Sequence, residues 1–265
     1  MSLVCLLGLP TDEAASFARG AAAGPAAIRA ALHSAAGGWG TEAGLDLAAE
    51  VRFADLGDLI LTGGEDGRAE IERAVDDQLE NGGRLICLGG DHSVAYPILA
   101  AYSRAHEKLT VVQVDAHPDL YDEFEGDPYS HACPFARVME TGRVKRLVQL
   151  GIRAANRHQR EQAERFGVEI VPRTGWHDLA ALELEPPVYL SLDLDGLDPA
   201  FAPGVAHPEP GGLTTREALE IVWHLPGLVG ADVVELNPRF DPAGVTAGLA
   251  AKLVKELAGR MLESW

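Results

Sequence analysis

Short apolar runs alternate with amphipathic stretches about eight times along this chain, and that rhythm leaves few folds open. The runs read as strands at Leu3–Leu7, Val51–Leu56, Arg84–Leu88, Leu109–Val114, Arg146–Leu150, Val168–Val171, Val188–Leu194 and Leu228–Leu236. Helices are predicted at Pro25–Ala36, Asp66–Glu80, Val94–His106, Pro134–Glu140, 156–166, Thr214–Trp223 and Ala247–Leu262. Pro25 suits a first helical turn. Asn81-Gly82-Gly83 stops the second helix, and Thr214 or Thr215 caps the one before Trp223. Several strands are apolar throughout, as expected when both faces of a parallel sheet are covered. The pattern predicts an α/β fold with a parallel sheet and helices on both faces. No linker, repeat or low-complexity segment divides residues 1–265, so one domain is expected.

With 47% hydrophobic residues the chain can bury a sizeable core. Its formal net charge of −18 argues against non-specific binding to nucleic acid or to an anionic membrane. The acidity fits a cationic small-molecule partner, or solubility alone. Cys5, Cys87 and Cys133 are scattered and odd in number, so no disulfide framework is expected and a reducing cytosol is the simplest home. The opening residues lack the features of a signal peptide, and no apolar stretch is long enough to span a bilayer. A cytoplasmic location is therefore expected.

Polar groups break the apolar pattern at four strand ends, where a parallel sheet carries its functional side chains. Asp115, His117 and Asp119 occupy alternate positions, which point to one side of an extended chain. Such a group repels itself without a cation, although a polar turn has the same composition. His92 follows Gly89-Gly90-Asp91, which also fits a tight turn before a helix. Asp193 and Asp195 stand in an apolar strand, where acids are costly unless paired or metal-bound. Asp198, before Pro199, fits a turn. Together His92, Asp115, His117, Asp119, Asp193 and Asp195 come from what read as three adjacent strand ends. Carboxylates and imidazoles without thiolate suit a pair of divalent ions, and oxygen-rich coordination favours manganese. Two ions about 3.5–4 Å apart can share a water and bring its pKa toward neutrality, giving a hydroxide nucleophile without Ser or Cys. His131 is left over as a general acid, a proton shuttle or a surface histidine. Cys133 lies close to it, but nothing in so acidic a loop lowers a thiol pKa. His207 either lines the pocket or shapes its loop. Trp39, Trp176, Trp223 and Trp265 read as packing.

Gly89-Gly90-Asp91-His92, Asp115-Ala116-His117-Pro118-Asp119 and Ser191-x-Asp193-x-Asp195-x-x-Asp198-Pro199 together resemble the three signatures of the ureohydrolases, the family of arginase, agmatinase and formimidoylglutamase. The resemblance runs from Gly24–Arg29 to the last helix. Phe124-Glu125-Gly126, Tyr129-Ser130-His131-Ala132 and the run Ala202–Gly212 look most like the plant-type arginase branch. It implies a three-layer α/β sandwich, two Mn2+ ions per subunit, and assembly as a trimer or hexamer. It also implies that Asp115 and Asp193 bridge both ions, that His92 and Asp119 complete one, and that His117 and Asp195 complete the other. Glu235 would hold the guanidinium group, which suits paired charge-assisted bonds, and His131 would shuttle a proton. The implied reaction is hydrolysis of agmatine or L-arginine to urea plus putrescine or ornithine. A bridging hydroxide attacks the guanidino carbon, and Asp119 passes its proton to the leaving amine.

The far end of the substrate stays open. The loop carrying Asp122, Glu123, Glu125 and Asp127 reads as a mouth for cations or as a solvated acidic loop. Plant-type arginases usually carry Asn where this chain has Asp127. As a substrate-binding residue Asp127 would repel a carboxylate and favour agmatine, whereas the branch resemblance favours arginine. A basic pocket residue would support guanidinobutyrase or formimidoylglutamase activity, and Arg153 and Arg157 are the candidates. A non-catalytic family member is the remaining alternative.

Overall fold

Side chains alternate along each strand, and here both sets of alternating positions are apolar, so the sheet must be covered twice. The computed structural model describes residues 3–35, 37–172 and 179–263. Its strands are β1 (Val4–Leu9), β2 (Phe53–Asp58), β3 (Arg84–Gly89), β4 (Thr110–Val114), β5 (Arg146–Leu150), β6 (Glu169–Val171), β7 (Val188–Asp193) and β8 (Leu228–Val234). The helices are α1 (Gly24–Leu32), α2 (Gly64–Glu80), α3 (Ala95–Ala105), α4 (Pro134–Glu140), α5 (Arg157–Phe166), α6 (Thr215–His224) and α7 (Val245–Glu263). One set of strand residues, including Leu6, Ile86, Val112, Val148, Leu190 and Val233, packs with Ile28 of α1, Ile221 of α6 and Leu253 of α7. The other set, including Cys5, Leu85, Val111, Leu147 and Tyr189, packs with Ile71 of α2, Ile98 of α3, Phe135 of α4 and Ala163 of α5. Three layers result, as expected. Full burial of one such side chain stabilises by roughly 1.5–3 kcal/mol, so the two layers can carry polar groups at their rim.

Every strand pairing is parallel, and the order is β2-β1-β3-β8-β7-β4-β5-β6. This corrects one expectation: the ends of β3, β4 and β7 are not three neighbours, because β8 lies between β3 and β7. The chain builds outward to β6 at one edge, then returns to place its last two strands in the middle. Nothing local in β8 announces that position; it is set by packing against segments far away in sequence. Smaller differences fall at element ends. β2 starts at Phe53 because Glu50 folds back to accept from the backbone N–H of Arg52. α1 ends at Leu32 with His33 as its cap, short of the expected Ala36, which lies outside the described residues. Trp39 and Trp223 pack against the core, and Trp176 and Trp265 lie outside the described residues. No helix among the described residues is long and apolar enough to cross a membrane.

Candidate active site

The C-terminal ends of β3, β8, β7 and β4 open side by side at the point where the chain order along the sheet reverses, the usual place for a site in such a sheet. After β3 the chain turns through Gly90, where a Cβ would strike the Thr11 carbonyl. Asp91 then accepts from the N–H and the hydroxyl of Ser93 and from the N–H of Ala14. That turn delivers His92, fully buried, to the foot of the sheet end. Its Nδ1 lies 3.0 Å from Asp119, 3.1 Å from Asp115 and 3.2 Å from Asp193. The Nε2 atom lies 2.9 Å from Ser191 Oγ, and Ser191 donates its own proton to Asp232 (2.8 Å). The Ser191 oxygen is thereby left to accept from Nε2, and Nδ1 is the ring atom that faces the carboxylates. Among the described residues Nδ1 is buried with no hydrogen-bond partner. Beside it, His117 Nδ1 lies 3.0 Å from Asp195 and 3.5 Å from Asp115.

Two groups of donors converge here: His92, Asp115 and Asp119, and then Asp115, His117 and Asp195, with Asp115 in both. Asp193 adjoins the first through His92. Burial, then repulsion from Asp115, pushes Asp119 and Asp195 up to about 6. Burial with repulsion from Asp195 and Asp115 drives Asp193 up as well. Only Asp115 is held below the usual range: burial works against it, and the His117 and His92 contacts prevail. So much buried negative charge around a bare imidazole nitrogen fits divalent cations, and the O/N donor set without thiolate suits a hard-to-borderline ion. His92, Asp115, His117, Asp119, Asp193 and Asp195, all proposed from sequence, are brought together.

Glu235 follows β8 with φ 66°, and Asp119 follows β4 with φ 50°, both in the left-handed region. The Glu235 carboxylate accepts from the N–H of His92 (2.9 Å) and sits 2.9 Å from His131 Nδ1. The other ring nitrogen of His131 meets Ser16, at 2.8 Å from Oγ and 3.2 Å from N. Burial opposes charge on His131, but the bond to Glu235 and nearby carboxylates prevail and raise it to about 9. A cavity of about 220 Å³ joins these groups; its walls include Ser16, Tyr121, Phe124, Gln159 and His207. His207 does line the cavity, with its ring 5.3 Å from that of His131 and 6.2 Å from that of His117.

Other candidates fall elsewhere. Asp127 lines a separate cavity with Glu13, Arg68 and Tyr129, and its carboxylate accepts from the N–H of Tyr129. The structure does not bring it to the candidate metal ligands. Arg153 spends its guanidinium on the carbonyls of Gly151, Asp195, Gly196, Leu197 and Glu209. Arg157 is almost fully exposed and pairs with Glu161. Neither arginine lines the cavity. Asp198 is a turn residue, accepting from Ala200, Gly211 and Gly212. Burial and the nearby Asp119 push the Cys133 thiol up to about 12, which removes it as a nucleophile. Sequence reading missed Ser16, which sits in an irregular loop, and Asp232, whose isolation in an apolar strand was a signal.

A family model described as the arginase family matches residues 2–259. The chain belongs to the arginase family. Family members are hydrolases acting on guanidino and amidino groups, and this chain is an enzyme of that class. Arginase 1, mitochondrial, of Arabidopsis thaliana is 45% identical, over 97% of this chain and 80% of that protein. The mitochondrial guanidino acid hydrolase of Homo sapiens is 36% identical, over 95% of this chain and 76% of its own length. Among solved structures, the arginase from Medicago truncatula superposes with a TM-score of 0.88 at 38% identity, covering 98% of this chain and 87% of the other.

Proposed function

We propose that this chain is a binuclear manganese ureohydrolase that hydrolyses agmatine or L-arginine to urea plus putrescine or ornithine. The observation that carries the reading is the pair of His/Asp groups sharing Asp115, set beneath a cavity with Glu235 and His131 on its wall. His92 and Asp119 would hold one ion, His117 and Asp195 the other, with Asp115 and Asp193 between them. Bound there, two ions would supply a water acidic enough to attack at neutral pH. Glu235 pairs with the planar cation and orients its carbon toward that position. Asp119 would take a proton and pass it to the leaving amine. His131, tied to Glu235 at one nitrogen and Ser16 at the other, carries protons between the cavity and its mouth.

Among the described residues no lysine or arginine lines the cavity, which favours agmatine over guanidinobutyrate or formimidoylglutamate. The plant arginase relatives favour arginine. Asp127 faces another cavity, so the choice between those two substrates is not assigned to it. Urea release from agmatine, arginine and guanidinobutyrate, with Mn2+ and after chelation, tests the reading. Urea from one of the first two, lost with chelator and restored by Mn2+, is the expected result. No urea from any guanidine by the Mn2+-loaded protein would sink it.

A further inference from the structure

Two glutamines stand where the core has no use for polar side chains. Gln113 of β4 and Gln149 of β5 are register partners, both wholly buried and each flanked by Val or Leu. An unbonded buried amide costs about 1–3 kcal/mol on protein scales, so stability alone would favour leucine at both places. Their hydrogen bonds converge on one segment. Gln149 Nε2 donates to Gln113 Oε1 (2.6 Å) and to the Pro118 carbonyl (2.7 Å). Gln113 Nε2 donates to Asp115 Oδ2 (2.8 Å) and to the His117 carbonyl (3.0 Å). All the side-chain N–H groups of the pair are used, and each amide fixes the orientation of the other. Turning Gln113 over would set its NH2 against that of Gln149. What is left over is Gln149 Oε1, buried among the described residues without a partner, a cost with no return in folding.

The Asp115 carboxylate shows what the arrangement does. Its Oδ2 faces His92 Nδ1, while Oδ1 accepts from the N–H of His117 and faces the His117 ring. A twist of this carboxylate would take both oxygens out of the two donor groups at once. The Gln113 N–H on Oδ2 opposes that twist, and the bonds to the His117 and Pro118 carbonyls hold the backbone beneath it.

We infer that Gln113 and Gln149 form a cross-strand amide relay that positions Asp115 and the turn 115–119 for metal binding. Neither touches substrate or metal-facing atoms other than Asp115 Oδ2, so both are positioning residues. The inference rests on the six-residue metal site proposed above. The double variant Gln113→Leu/Gln149→Leu removes both amides together, leaving no amide N–H orphaned while the His117 and Pro118 carbonyls and Asp115 Oδ2 lose their donors. Titration of Mn2+, followed by the spectrum of the free ion, should show affinity about 10–100-fold weaker than wild type. Equal affinity in the two proteins would overturn the relay, as would a fall in melting temperature with affinity intact. Gln149→Met, which leaves Gln113 in place, repeats the test should the double variant fail to fold; undiminished Mn2+ affinity there is equally fatal. A wild-type protein that binds no Mn2+ would instead remove the metal site itself, and the relay with it.

Discussion

Asp119 and Glu235, the two carboxylates proposed to carry the chemistry, sit on backbone that few residues other than glycine adopt readily, at a cost of about 1–2 kcal/mol each. The left-handed turn lets a carboxylate leave its strand and point back over the sheet end, a reason to tolerate the strain. Neither conformation could be read from sequence, because Asp and Glu give no local sign of it. Their place among polar partners could be read, since acids at apolar strand ends need partners. The His131–Glu235 pair gives a prediction for metal-free protein. His131 is raised in the fold above its ordinary value near 6.5. Its contribution to stability is therefore fully present below about pH 6.5 and is lost as pH rises through about 9. Glu235→Gln removes the main cause of the shift. Thermal melts in chelator across that window should show wild type losing more stability than the variant; parallel curves would refute the assignment.

Elements, rather than single residues, build the cavity wall. α5 begins with Asn156, whose side chain accepts from the N–H of Gln159 while Gln159 returns a bond to the N–H of Asn156. Gln159 lines the cavity, and Asn156 Nδ2 also donates to the hydroxyl of Tyr121, another wall residue. Asn156→Ala should cost about 1 kcal/mol of stability and raise KM more than it lowers kcat. A normal KM in a measurably destabilised variant would separate the cap from the wall. The start of this helix was legible because Asn before a polar amphipathic run is a start signal. The loop bearing Ser16 was not, since its contacts with His131 depend on a segment more than a hundred positions away.

For the whole molecule, two-sided apolar strands made the layered architecture legible, and motif spacing made the candidate ligand set legible. Strand order was not, because it records which distant surfaces fit and not what any one strand contains. Metal should couple to the fold as a ligand bound by the native state alone. Mn2+ at a hundred times its Kd adds about 2.7 kcal/mol, so chelation should lower the melting temperature of wild type. His92→Ala should show a smaller Mn2+-induced rise than wild type; a full Mn2+-induced rise in that variant would move the metal elsewhere. The placement of β8 between β3 and β7 carries a consequence for biosynthesis. Translation must pass residue 228 before the two halves of the sheet can be joined, and residue 235 before the carboxylate proposed to bind guanidinium exists. Until then a nascent chain holds two unfinished β edges and every one of its histidine and aspartate donors, without a floor on which to assemble them. Catalytic competence in this protein is thus among the last things the ribosome makes.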